Sequence, residues 1–244
     1  MHITCAAGTD KGKVRPGNED FHLMALERGL FVVADGMGGH AAGEVAAEMT
    51  ARAILSEMGS FRDLSDADVA ARLFQSVRHA NQAVYQRTLV ETDKRGMGTT
   101  VTALVLFPER YLIAQVGDSR AYLFRRGELS QVTRDHSYVQ EQVDAGLLTV
   151  EQARSHPYAN VITRCVGSSE DVTPDLYFGE LEAGDLLLLA SDGLTGMVTD
   201  PQLAQRLGAG LEPEALINQL IADANRQGGL DNITAIVVRV DSLD

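Results

Sequence analysis

The sequence predicts an α+β fold with antiparallel sheets, and three observations carry that expectation. Helical periodicity falls in two blocks, residues 41–84 and 200–224, that do not alternate with strands, which disfavours a doubly wound parallel sheet. Two short apolar runs, Leu30–Ala34 and Leu186–Ala190, have no polar alternation, the pattern of strands buried on both faces. Between them, Thr99–Phe107, Tyr111–Val116 and Arg120–Phe124 succeed one another like a meander, with Gly117-Asp118 and Arg126-Gly127 as its later turns.

The individual elements follow from local pattern. Phe21-His22-Leu23 begins an early strand. From Ala41 to Met58, the residues Ala42, Val45, Ala46, Met49, Ala53 and Ile54 trace one helical face. Ser65 to Asp68 reads as a capping box with an acidic first turn, opening a second helix with Val69, Leu73, Val77, Ala80 and Val84 on one stripe. Asp200-Pro201 reads as N-cap and first-turn proline of a short helix. Glu212–Ala224 forms another helix, with Leu216, Leu220 and Ile221 inward, and Ile233–Val240 is a closing strand. From Asp135 to Asp171 the pattern weakens, so irregular structure with short helices is expected there.

Composition bounds the function. At 244 residues and 45 % hydrophobic content the chain can bury about 70–75 % of its unfolded surface and needs no staples. There is no internal repeat, low-complexity tract or Pro- or Ser-rich linker, so residues 1–244 are expected to form one domain. A net charge of −13 without a basic stripe argues against nucleic acid and anionic membranes as partners. The longest apolar run is far too short to span a bilayer. Met1–Thr9 lacks the basic and apolar regions of a secretory signal. Cys5 and Cys165 stand alone, without a C-x-x-C pair, which fits two thiols in a reducing compartment. A soluble, acidic, cytoplasmic monomer is therefore expected.

Both apolar runs end in Asp-Gly. Leu30–Ala34 leads into Asp35-Gly36, and Leu186–Ala190 leads through Ser191 into Asp192-Gly193. A carboxylate at the mouth of a buried strand loses hydration, and left unpaired it costs several kcal/mol. Asp-Gly is also an ordinary turn sequence, and for either site alone that is the simpler explanation. Further acidic segments add weight to a functional one: Asn18-Glu19-Asp20 before the first strand, Asp118 in an expected hairpin turn, and Gly228–Asn232 before the last strand. Aspartates gathered at strand ends would make an oxygen-rich site for Mg²⁺ or Mn²⁺, and a following glycine lets a backbone carbonyl join. Zinc is a poor fit without clustered His or Cys. Gly36-Met37-Gly38-Gly39 has the look of a dinucleotide turn, but Asp35 at its entrance would repel phosphate unless a cation lay between. The lysine of a Walker loop is missing. Gly117–Ala121 approaches a nucleophile elbow but joins two strands, not a strand to a helix.

Six segments in order resemble the metal-dependent protein phosphatase family, type 2C, in its bacterial form. They are Arg15-Pro-Gly-Asn-Glu-Asp20, Val33-Ala-Asp-Gly-Met-Gly-Gly-His40, Gly96-Met-Gly-Thr-Thr100, Gly117-Asp-Ser-Arg120, Ala190-Ser-Asp-Gly193 and Asp231-Asn-Ile-Thr234. The resemblance implies an α-β-β-α sandwich, two antiparallel sheets flanked by antiparallel helix pairs. It implies that Asp35 bridges two Mn²⁺ or Mg²⁺ ions, that the Gly36 carbonyl binds one of them, and that Asp192 and Asp231 complete the pair. Asp20, with Glu19 able to share the role, matches a carboxylate near the metals, and Asp118 with Asp192 matches a third, weaker site. Two cations about 3.5–4 Å apart lower the pKa of a bridging water, whose hydroxide attacks phosphorus directly without a phosphoenzyme. Arg15 matches a phosphate-gripping arginine, and His40 is placed to protonate the leaving alkoxide. Residues 135–171 match a flap near the metals, with His136 in a supporting role and Arg164 and Gly167 structural. The partners implied are phosphorylated proteins, including a serine/threonine kinase and its substrates. Against this stand a degenerate phosphoprotein-binding relative, an adaptor whose Asp-Gly pairs are only turns, and a hydrolase of small phosphate esters.

Overall fold

Each of the two apolar runs forms a central strand of its own sheet, and the sheets lie face to face. The computed structural model describes residues 1–38, 42–59 and 65–243. In chain order its strands are β1 (His2–Asp10), β2 (Asp20–Ala25), β3 (Leu30–Met37), β4 (Gly98–Thr99), β5 (Val101–Phe107), β6 (Arg110–Val116), β7 (Arg120–Arg125), β8 (Glu128–Gln131), β9 (Asp175–Glu180), β10 (Leu186–Ala190) and β11 (Ile233–Ser242). Its helices are α1 (Ala42–Met58), α2 (Asp66–Val90), α3 (Tyr138–Asp144), α4 (Val150–Arg154), α5 (Asp192–Thr195), α6 (Asp200–Leu207) and α7 (Pro213–Arg226).

One sheet has the order β1-β11-β10-β7-β8, the other β2-β3-β5-β6-β9, with β4 extending the second beside β3. The ladders are antiparallel. The alternation of side chains along a strand explains why the central runs are apolar throughout. In β3, Leu30 and Val32 pack with α1 and α2, whereas Phe31 and Val33 enter the layer between the sheets. In β10, Leu186, Leu188 and Ala190 pack with α6 and α7, whereas Leu187 and Leu189 face inward to meet Ile236 and Val238 of β11. Three apolar layers result: helices on sheet, sheet on sheet, sheet on helices. The expected sandwich is the observed one.

The helices begin where the sequence places them. The Ser65 hydroxyl accepts the Asp68 N–H at 3.3 Å, capping α2. At α6 the cap is Thr199 instead of Asp200: both its N–H and its hydroxyl reach Gln202 Oε1, at 2.9 and 3.1 Å, and Asp200-Pro201 fall inside the first turn. Residues 135–171 carry only α3 and α4 and are pinned by isolated bridges, Ser137 to Ile162 and Thr99 to Val166.

Two departures bear on the site. The expected hairpin turn at Gly117-Asp118 is a crossing between sheets: β6 pairs with β5 and β9, β7 with β10 and β8. The Gln115 amide donates to the carbonyls of Gly117 and Ser119, at 3.0 and 2.5 Å, replacing the ladder bonds a hairpin would have made. The expected strand Thr99–Phe107 is likewise interrupted at Thr100, whose hydroxyl accepts the Asp35 N–H at 3.0 Å. β1 was not expected, because its small and polar residues are only half-buried against β11.

Packing between the sheets fixes everything downstream, so Leu187→Ala, at a fully buried inward position, is expected to cost about 2–5 kcal/mol in urea denaturation. Phe178→Ala, on a side chain 57 % exposed, is expected to cost under about 0.5 kcal/mol. Equal effects would contradict the layer assignment.

Candidate active site

The strand ends that carry the aspartates meet at one edge of the sandwich. Asp20 at the start of β2 is directly opposite Asp35 near the end of β3. Asp35 has its backbone fully engaged: its carbonyl accepts the Thr100 N–H at 2.9 Å and the Thr99 hydroxyl at 3.0 Å. The Thr100 hydroxyl, which accepts the Asp35 N–H, also shares a hydrogen bond with the Ser119 hydroxyl, 2.7 Å away. One hydroxyl thereby ties β3 to the crossing that bears Asp118. Gly36 follows because nothing larger fits: a Cβ there would strike the backbone of Glu19 and Gly43.

The other sheet contributes Asp192, first residue of α5, and Asp231, just before β11. Their backbones are pressed together at Gly193, where a Cβ would collide with the Asn232 carbonyl. Asn232 also holds the Lys11–Glu19 segment, accepting the Glu19 N–H at 2.8 Å and donating to the carbonyls of Lys11 and Gly17 at 2.9 and 2.8 Å. That segment delivers Arg15, whose guanidinium donates to Asp231 Oδ2 at 2.6 Å. The guanidinium remains half-exposed, with donors to spare for an anion.

Arg15, Asp35, Gly36, Asp118, Asp192 and Asp231 line one cavity of about 900 Å³. Glu19 lines it too, whereas Asp20 is buried beside it, accepting the Ser191 hydroxyl at 2.8 Å. His40 lies outside the described residues. Ser191, Thr100 and Asn232 had no role assigned from sequence. Each occurs inside a quoted motif, so their adjacency to the aspartates was the available signal, but which atom bonds which is a tertiary fact.

The carboxylates are held in conditions that oppose their charge. Burial, followed by repulsion from neighbouring aspartates, raises Asp35 and Asp118 well above the usual carboxylate range. Burial likewise pushes Asp20 up to about 7, against bonds from Thr234 and Ser191 that favour ionisation. Asp192 rises to about 6, first through burial and then through Asp231. Of three buried side-chain polar atoms without a hydrogen-bond partner among the described residues, two are here: Asp20 Oδ1 and Asp192 Oδ1. Unpartnered buried oxygens beside mutually repelling carboxylates lack one thing, positive charge.

A hard divalent cation fits this donor set, which is all oxygen, with no His or Cys among the cavity-lining residues. The described side chains do not gather three or more of His, Cys, Asp or Glu tightly around one point.

The segment 135–171 is clamped to the Asp118 crossing. The His136 N–H donates to the Gly117 carbonyl at 2.9 Å, and His136 Nδ1 accepts the Gly117 N–H at 3.0 Å. Burial lowers the His136 pKa, in keeping with a neutral ring whose Nε2–H reaches Asp175 Oδ2 at 3.1 Å. Arg164 donates to Asp175 Oδ1 at 2.8 Å and to the Thr173 carbonyl at 2.9 Å, and the Gly167 N–H donates to Asn81 Oδ1 at 2.7 Å. These contacts hold the segment against β9 and α2.

Comparison with known proteins identifies the family. The sequence matches the family described as Protein phosphatase 2C over residues 16–220. It is 40 % identical over 241 residues to a putative protein phosphatase 2C-type of Streptococcus pyogenes, covering 97 % of each chain. It is 42 % identical over 239 residues to the serine/threonine protein phosphatase PstP of Mycobacterium tuberculosis, covering 98 % of this chain and 45 % of that protein. The solved catalytic domain of PstP in complex with 2 manganese ions superposes with a TM-score of 0.88 at 39 % identity, covering 98 % of this chain and 99 % of that one. Among the described residues, no helix is long and apolar enough to cross a membrane. The motifs, the two-sheet architecture and these similarities converge: the chain belongs to the protein phosphatase 2C family.

Proposed function

We propose that the protein is a metal-dependent phosphatase acting on phosphoserine and phosphothreonine in proteins, with residues 1–244 working as one domain. The observation that carries this is the cluster of buried, mutually repelling carboxylates, two of them with an unpartnered oxygen, opening onto a cavity that also presents an arginine. Asp35, Asp192, Asp231 and the Gly36 carbonyl are assigned two Mn²⁺ or Mg²⁺ ions. Asp118 with Asp192 is assigned a third. Bound there, such ions supply Lewis acidity and an activated water for direct attack at phosphorus.

The chain's own residues do the rest. Arg15, anchored on Asp231, offers its free guanidinium edge to phosphate oxygens and orients the ester. Asp20 is assigned to the edge of the metal site, where Ser191 fixes one of its oxygens and leaves the other directed at no protein donor. Glu19, on the cavity wall, orders water there. His40 is assigned the proton that the departing alkoxide requires. His136 and Arg164 act through position, pinning the flap to the Asp118 crossing. The protein works as a cytoplasmic monomer on phosphoproteins, reversing a serine/threonine kinase and its products; both described cysteines are free thiols, as that compartment favours.

Hydrolysis of a phosphothreonine peptide is expected with Mn²⁺, and it should vanish with chelator and fall about 10²–10³-fold in Asp192→Ala. A folded, Mn²⁺-binding protein without hydrolysis would favour a phosphoprotein-binding role.

The raised carboxyl pKa values set a sign for stability. A carboxyl whose folded pKa lies above its unfolded one stabilises the fold at low pH, and that contribution is lost as pH rises through the folded value. With chelator, the contributions of Asp192 and Asp20 are therefore lost through about 6 and about 7. Mn²⁺ should reverse the loss, raising Tm at pH 8 by about 5–10 °C at a hundredfold excess over its Kd there, and by less at pH 5.5 at the same Mn²⁺ concentration, because protons compete for the carboxylates. A shift that is absent, or equal at both pH values, would count against carboxylate ligation.

His40→Ala is expected to slow hydrolysis of a phosphothreonine peptide far more than that of p-nitrophenyl phosphate, whose leaving group departs without a proton. Parallel losses on both substrates would remove the proton-donor role.

A further inference from the structure

A second cavity, of about 520 Å³, opens beside the first and beneath the flap. The two share Arg15, Asp118, Asp192 and Asp231 as walls, so whatever occupies the second is continuous with what sits at the metal site. Its volume is in the range of ordinary ligand pockets.

On the side away from the shared walls, several charged groups already hold partners. Arg120 holds Asp135 through both Nε and a terminal nitrogen, at 3.0 and 2.7 Å, and also donates to the Tyr122 hydroxyl. That hydroxyl donates to Asp200 at 3.2 Å. Arg154 donates to the Thr195 carbonyl at 3.0 Å. Beside them the wall is aliphatic: Val139 and Val143 from α3, Val150 and Ala153 from α4, with Met197 and Leu230. Val150 and Leu230 are 61 % and 56 % exposed. Two large apolar side chains held in water at the walls of a concave site mark a place where apolar surface is to be covered.

Resting on the phosphatase reading above, we propose that this cavity receives an aliphatic side chain of the phosphoprotein substrate, within three residues of the phosphorylated one. The shared walls favour this occupant over an unrelated ligand, because a peptide whose phosphate lies at the metal site must pass along them. The aliphatic side chains that α3 and α4 present favour leucine, isoleucine, valine or methionine over a charged residue, which would lose hydration against them. The flap selects substrate through α3 and α4, by burying that side chain.

The test is a set of phosphothreonine peptides, otherwise serine- and glycine-rich, with leucine, aspartate or lysine placed singly at each of the three positions on either side. These are assayed with Mn²⁺ alongside p-nitrophenyl phosphate. Leucine at one position should raise kcat/KM about tenfold or more over serine, chiefly through KM. Val143→Ser and Val150→Ser should each bring that leucine-to-serine ratio toward one. Because the readout is a ratio within each variant, a general loss of activity does not imitate it. The proposal is overturned if no position favours leucine, if aspartate or lysine is favoured instead, or if the leucine preference survives intact in both variants. Hydrolysis of p-nitrophenyl phosphate with flat peptide ratios would sink this proposal and leave the phosphatase reading standing. Failure to hydrolyse any of the substrates would remove both.

Discussion

Carboxylates kept out of water beside one another repel, and that repulsion at the edge of the two sheets is the condition around which the rest of the structure is arranged. Asp20, Asp35, Asp118 and Asp192 are all pushed toward protonation by burial first and by neighbouring charge second. Left to themselves, such groups would splay toward solvent or open the sandwich. They stay because each is tied where it cannot move: the Asp35 backbone by Thr99 and Thr100, the backbone on either side of Asp118 by Gln115, and the Asp20 carboxylate by Ser191. The three-layer apolar packing supplies the stiffness that makes these bonds effective. The site is a local electrostatic stress carried by a rigid frame, the usual relation between a metal-binding edge and the core beneath it.

The frame also explains why the carboxylates come from both sheets. A single twisted sheet spreads its strand ends along an arc, whereas two stacked sheets bring ends from opposite faces into one cleft. Short connections make the registration exact enough for chemistry. Gly117–Ser119 passes from one sheet to the other in three residues, and the backbones at Gly193 and Asn232 approach until only hydrogen fits between. The flap is then fastened to this cleft by His136 rather than resting on it.

Much of this was legible in the chain. Continuous apolar runs announced strands with two buried faces, and the separation of helices into blocks announced antiparallel sheets. The aspartates were visible because a charge at the end of an apolar run is physically expensive. The route of the chain through Gly117–Ser119 was not legible, since a glycine-aspartate pair between two strands makes a hairpin in most settings. Here a glutamine side chain two residues earlier replaces the ladder, and nothing in its local pattern shows that. The break at Thr100 and the cap at Thr199 were hidden for the same reason: a hydroxyl competed with a neighbour for a backbone partner. β1 was hidden because strands that cover an edge have little apolar signal of their own.

The pairing of β1 with β11 joins the first strand described to the last, along a ladder from Asp10–Ile233 toward His2–Ser242. Asp231 therefore reaches the cleft only when the final strand has slid in between β1 and β10. During synthesis, the emerging polypeptide carries Asp20, Asp35 and Asp118 long before their counterparts on the other sheet exist. The carboxylate cluster is thus completed by the last strand of the sheet, and a chain still lacking β11 holds its earlier aspartates without the neighbour that Asp231 becomes.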